Sequence, residues 1–227
     1  LGFQGTGDRS NTQEVFFNTT FMIMGYIAKS DGRVSEREIA AAQAVMAQMG
    51  LDENMRRVAI DLFNQGKQIH FNPQAAIDQL KRSCWHHPSL LRTFLEIQIQ
   101  MAYADGRALS AAKKQALQGI CAQLGLSGFN FSQFEEQFRA EQNYQRHSRQ
   151  GHWQSPKQHL DEAYSVLGLK HSATDAEVKK AYRRLMSKNH PDKLIAKGVP
   201  QEMIKLATQK TQQIKSAYEA IKEARGM

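Results

Sequence analysis

Thiol chemistry has almost no footing in this chain, which carries two cysteines, Cys84 and Cys121, in 227 residues. They share no ligand spacing and both fall in apolar, helix-patterned surroundings. They read as buried thiols of a reducing compartment rather than as a disulfide or a metal site. Strand-like alternation of polar and apolar residues is absent throughout, and only five prolines interrupt the chain, so helices are expected and a sheet is not. Long hydrophobic runs are missing too: no window approaches the roughly 18 apolar residues that a membrane span needs. Phe16–Ile27 is broken by Asn18, Thr19 and Thr20 and reads as a buried amphipathic helix. Nor is there a nucleophile elbow, a phosphate-binding glycine loop, a paired acid/base arrangement or a zinc motif. The chain is therefore not expected to be an enzyme or to hold a cofactor. His86 and His87 precede Pro88 at a helix boundary, where capping or exposure accounts for them better than metal binding, and Trp85 reads as core or interface.

What charge there is lies unevenly. The formal net charge is +8. Residues 161–227 hold 13 Lys/Arg against 8 Asp/Glu, residues 141–160 hold 3 against 1, and residues 1–140 hold 14 against 13. A nucleic-acid protein would show a basic stripe interleaved with aromatics. Here the excess gathers on one helical pattern near the C-terminus, and no nucleic-acid partner is expected. Glu141–His159 has almost no aliphatic residues and no periodicity, and reads as a flexible linker, with Trp153 in it. The chain thus divides into residues 1–11, a helical domain over 12–140, the linker 141–159 and a second domain over 160–227.

Residues 12–140 contain an internal repeat. Phe21-Met-Ile-Met-Gly-Tyr-Ile-Ala-Lys-Ser-Asp-Gly-Arg33 matches Leu95-Glu-Ile-Gln-Ile-Gln-Met-Ala-Tyr-Ala-Asp-Gly-Arg107 at an offset of 74, and Val45–Leu51 matches Ile120–Leu126 at 75. Each unit reads helix, Asp-Gly turn, helix, Gly-Leu. Ser35 with Glu38 has capping-box spacing, and Ser110 is the equivalent cap. The expected architecture is all-α: two related helical hairpins, connecting helices near 53–65 and 73–83, and a last helix near 130–140 with Phe131, Phe134 and Phe138 on one face. Phe21, Ile23, Ile27, Val45 and Met49 should be buried, and so should Leu95, Ile97, Met101, Ile120 and Leu124. Asp31 and Asp105 occupy equivalent turns. Paired carboxylates brought together by the repeat would suit a hard cation. The simpler reading is a turn pair, with glycine at positive φ and aspartate bonding the local backbone.

The C-terminal domain centres on His190-Pro191-Asp192. Pro191 has no N–H and biases the residue before it away from helical geometry, so the preceding helix must stop there. That helix starts near 175, after a Thr174/Glu177 capping box. Val178, Ala181, Tyr182 and Leu185 form its apolar stripe, while Lys179, Lys180, Arg183, Arg184 and Lys188 lie mainly off it. Leu167-Gly168-Leu169 closes a short earlier helix with a glycine. Ile214, Ala217, Tyr218 and Ile221 mark a third helix over roughly 201–223. The minimal fold is an antiparallel helix pair closed by the His-Pro-Asp turn.

This segment resembles a J domain, the module of DnaJ-like co-chaperones, through Ala163–Leu169, Lys180–Leu185, His190-Pro-Asp-Lys193 and Ile214–Glu219, in order and at the right separations. The stretch Leu194–Pro200 is longer than the usual loop. The resemblance implies docking on a DnaK-type heat-shock chaperone and stimulation of its ATPase. Lys179, Lys180, Arg183, Arg184 and Lys188 would meet an acidic surface, with Tyr182 nearby. Asp192 would pair with a cation on the partner, and His190 and Pro191 would fix the turn that presents it.

Residues 15–140 resemble the TerB-like (tellurite-resistance-type) helical domain, through the paired Ala-x-x-Asp-Gly-Arg turns Ala28–Arg33 and Ala102–Arg107. The combination is similar to the membrane-anchored DnaJ-like co-chaperones of Gram-negative bacteria. That likeness implies a single-pass inner-membrane protein with both domains facing the cytoplasm, its anchor absent from this stretch, and residues 1–11 a juxtamembrane remnant or a cloning scar. The helical domain would bind a client or regulator, or a second copy as a homodimer. The alternative is a metal-sensing or adaptor domain that tethers the chaperone machinery at the membrane.

Overall fold

The computed structural model describes residues 6–85, 88–103, 109–126, 143–144, 155–192 and 201–227. Among them every regular element is an α-helix, and the chain divides into two compact units. The first is built from α1 (Thr6–Lys29), α2 (Glu36–Met49), α3 (Glu53–Gly66), α4 (Pro73–Ser83), α5 (Pro88–Ala102) and α6 (Ala111–Gln123). The second holds α7 (Pro156–Val166), α8 (Asp175–Asn189) and, from Met203 on, α9 (Gln201–Arg225). No helix of the described residues is long and apolar enough to cross a membrane.

The helix α1 begins at Thr6, so residues 6–11, read as a remnant or a scar, form its first turns. Its burial also differs from the amphipathic expectation. Between Val15 and Ala28, Val15, Phe16, Phe17, Thr19, Thr20, Phe21, Ile23, Met24, Ile27 and Ala28 are all buried, leaving only Asn18, Met22 and Tyr26 half-buried along one line. A helix buried nearly all round lies inside a bundle, and α1 packs against α3, α4, α5 and α6. Its polar residues are satisfied from within: Thr20 Oγ1 donates to the Phe16 carbonyl at 2.7 Å, and Gln98 Nε2 donates to the Thr20 carbonyl at 3.1 Å.

The repeat shows in the core. All ten positions expected to be buried are at most 4% exposed. The packing is reciprocal, since α2 lies on α5 and α6 on α1. Ser35 and Glu38 form the capping box, Ser110 caps α6, and Asp52 and Asn72 cap α3 and α4. The helix expected at 130–140, with Phe131, Phe134 and Phe138, lies outside the described residues, as do His86, His87 and Trp153. Trp85 is exposed rather than core. Cys84 and Cys121 are buried, and burial pushes each thiol up to about 12. Only the thiolate attacks a disulfide reagent, so neither cysteine should react with a thiol-specific disulfide reagent at pH 8 in the native protein, and both should react on denaturation. A native reaction at the denatured rate would contradict the burial.

In the second unit, Ala163, Tyr164, Val166, Leu167, Val178, Ala181, Leu185, Ile214, Ala217 and Ile221 form one core. Tyr144 joins it, at 2% exposed, with its hydroxyl 3.0 Å from Ser216 Oγ and its ring stacked on His159. Part of the stretch read as a flexible linker is therefore packed. The helix α7 also begins inside that stretch, at Pro156, capped by Ser155. A Ser-Pro pair is a ready N-cap and first helical residue, and that signal was available in the sequence.

Candidate functional site

The turn at 190 is held by three rungs between α8 and α9. At one end Arg225 Nη1 contacts Asp175 Oδ1 at 2.7 Å. Seven residues further along α8, the Tyr182 ring stacks on Tyr218 with centroids 4.1 Å apart. Seven further, Thr211 Oγ1 donates to the Asn189 carbonyl at 3.0 Å. Each step of two turns forward on α8 is a step of two turns back on α9, the signature of an antiparallel pair in constant register. Arg225 extends the first rung, donating also to Tyr164 Oη and to the carbonyls of His171 and Ala173. It ties the end of α9 to the loop between α7 and α8.

On α8, Val178, Ala181 and Leu185 face the core. Lys179, Lys180, Arg183 and Arg184 are exposed, and none of the four enters a salt bridge among the described residues. The Lys188 side chain lies outside the described residues. Tyr182 is half-buried, its ring committed to Tyr218. Periodicity places it on the packed stripe, and the stack accounts for that.

The His-Pro-Asp segment has a local logic of its own. Asn189 is the last residue of α8, and His190 leaves the helix at φ −63°, ψ 125°, the extended geometry that a residue before proline favours. The backbone is helical again at Pro191 and Asp192. His190 thus sits as an N-cap, with proline at the first helical position, where its missing N–H costs nothing. The cap bond is present: Asp192 N–H donates to His190 Nδ1 at 3.2 Å, which puts the neutral ring's proton on Nε2. The Asp192 side chain is 83% exposed and stands 3.8 Å from His190 Nδ1. It projects a carboxylate into solvent just past the C-terminal end of α8.

Asp31 sits differently from its expectation. Gly32 does take positive φ, +95°, but the aspartate does not bond the local backbone. Its Oδ2 lies 2.8 Å from Lys113 Nζ and 3.5 Å from Ser110 Oγ. Lys113 also reaches Glu38 Oε1 at 2.7 Å, while Glu38 Oε2 accepts from Ser35 N–H at 2.8 Å. Glu38 and Lys113 correspond under the 75-residue offset, so equivalent positions touch, as residues near a local twofold axis do. Burial alone would lower the Lys113 pKa, but the hydrogen bonds and charges of Asp31 and Glu38 outweigh it and hold the ammonium above its ordinary value. A base raised in this way contributes stability below its unfolded pKa and loses it only as pH rises through the folded one. The tie is therefore intact at neutral pH. A cation at Asp31 would have to displace this ammonium. Asp105 lies outside the described residues.

A family model described as DnaJ domain matches residues 162–225, and one described as tellurite resistance protein TerB matches residues 19–136. The chain is 59% identical over 218 residues to the co-chaperone protein DjlA of Coxiella burnetii, covering 96% of this chain and 80% of that protein. It is 43% identical over 233 residues to DjlA of Legionella pneumophila, covering 94% and 78%. With DjlA of Escherichia coli O157:H7 it shares 40% over 220 residues, covering 94% and 81%. No solved structure matches.

Proposed function

The chain belongs to the DjlA family of co-chaperones, and on that premise we propose that it docks on a DnaK-type heat-shock chaperone through α8 and stimulates the partner's ATP hydrolysis with the His190–Asp192 turn. The observation that carries this is the arrangement on one helix. Four cations are exposed along α8, and its last residue opens onto a capped turn whose carboxylate is free in solvent. The cations speed encounter with an acidic surface more than they add affinity. Asp192 is the group that pairs with a cation of the partner, and His190 and Pro191 set its direction. Catalysis belongs to the partner.

The first unit serves client or regulator binding or self-association, at the inner membrane through an anchor preceding this stretch. An adaptor reading of this unit is favoured over a metal-sensing one, because Asp31 already faces an ammonium.

Steady-state ATP hydrolysis by a DnaK-type chaperone should rise several-fold on adding the protein. The stimulation should weaken as salt rises, since exposed charges are screened over about 10 Å at 0.1 M. No rise with a folded protein would end the co-chaperone reading. A rise indifferent to salt would end docking by the cationic face.

A further inference from the structure

We propose that Thr211, on α9, is a positioning residue for the His190–Asp192 turn, and this rests on the docking reading above. The last four carbonyls of a helix lack intrahelical donors. Past α8 the chain offers a proline, which donates nothing. Two side chains act near this end, one of them on an orphan carbonyl. Asn189 Nδ2 donates to the Leu185 carbonyl at 2.8 Å, and Thr211 Oγ1 donates to the Asn189 carbonyl at 3.0 Å, across 22 residues of chain. The second bond falls on the peptide group that enters His190.

The placement of a hydroxyl here is itself informative. Thr211 lies three residues before Ile214 and seven before Tyr218, on the stripe of α9 that faces α8. Ile214, Ala217 and Ile221 are at most 1% exposed on that face, and an apolar residue would continue it. A polar group turned toward a core costs free energy unless it is bonded. The Thr211 hydroxyl reaches the neighbouring helix.

Consequently the turn has a fixed origin. The Asn189 carbonyl is pinned to α9, the His190 peptide follows it, and the Asp192 N–H closes on His190 Nδ1. If the origin swings, the Asp192 carboxylate swings with it, while the cations of α8, one to three turns away, stay where they were. Thr211 should therefore govern how strongly the bound partner is stimulated and leave the strength of docking alone.

The test is Thr211→Val, which keeps shape and removes the hydroxyl, beside Thr211→Ser, which keeps the hydroxyl. Stimulation is titrated against protein concentration, and hydrogen exchange is followed at the Asp192 amide without any partner. Thr211→Val should lower maximal stimulation about fivefold, the factor that one ordinary hydrogen bond implies, at unchanged half-maximal concentration. It should also speed Asp192 amide exchange, and Thr211→Ser should restore both. Unchanged maximal stimulation and exchange in Thr211→Val would overturn the proposal. So would a loss of maximum and affinity together with a large fall in melting temperature, which marks a merely structural role. Should the wild-type chain give no stimulation, the docking reading fails, and the exchange of Asp192 still decides whether Thr211 holds the turn.

Discussion

Replacing His190 by Gln, or Asp192 by Asn, should remove about nine-tenths or more of the ATPase stimulation, while the melting temperature moves by no more than about 2 °C. The small thermal effect follows from exposure. The Asp192 side chain is 83% exposed and that of His190 46%, and substitutions at such sites typically change stability by about 0.5 kcal/mol or less. The large functional effect follows from what each atom does. Asp192→Asn keeps the shape and removes the charge meant for the partner. His190→Gln removes the ring nitrogen that accepts the Asp192 N–H, so the carboxylate remains but loses its bearing. His190→Asn is the informative variant, because its short side chain accepts from the N–H two residues on and stands where the imidazole Nδ1 does. It should retain more stimulation than His190→Gln. Full stimulation by Asp192→Asn would break the mechanism, and a melting temperature lowered by ten degrees would make the turn a structural element instead.

The first unit has its own point of greatest sensitivity. α1 and α3 touch backbone to backbone at two glycines. A Cβ added at Gly66 would stand 1.8 Å from the Met22 carbonyl oxygen and 2.9 Å from its Cα, and one added at Gly25 would stand 2.0 Å from the Phe63 carbonyl oxygen. Backbone cannot step aside as a flexible side chain does. Gly66→Ala must separate two closely packed helices, and a cost of about 3 kcal/mol, at the upper end of overpacking, is expected. That corresponds to a fall of about 10 °C in the melting temperature of this unit. The control is Gly119→Ala on α6, where nothing lies within 4 Å of the added carbon. The same chemical change there should stabilise by about 0.5–1 kcal/mol, through helix propensity and a less free unfolded chain. If Gly66→Ala and Gly119→Ala melt alike, α1 and α3 do not approach this closely.

Features written in local chemistry were legible in the sequence. Both capping boxes, the glycine after α7, the halt of α8 before Pro191 and the ten equivalent core positions depend on neighbours within one or two turns or on a visible repeat, and they stand as expected. What was not legible depends on residues far apart. The repeat aligns Gly25 with Ile99, so the pattern gives no hint that one copy meets another backbone there. Asp31 looked like a turn residue because its partner, Lys113, lies 82 positions away and aligns with Glu38 rather than with itself. Tyr144 stands in polar sequence with no periodicity, and its burial depends on distant partners such as the Ser216 hydroxyl and the His159 ring. Around the turn, His190, Pro191, Asp192 and the cations of α8 were readable as a motif. Thr211 was hidden in the polar run Thr208–Gln213, although a hydroxyl at a stripe position was a signal in plain view.

The constant register of α8 and α9 bears on how this region tolerates change in length. Asp175 with Arg225, Tyr182 with Tyr218 and Asn189 with Thr211 fix the pairing from end to end, so the connection between the helices is not asked to set it. Residues inserted between Asp192 and Gln201 should therefore leave the turn in place. One residue inserted within either helix would rotate everything beyond it by about 100° and unseat the rungs on that side together.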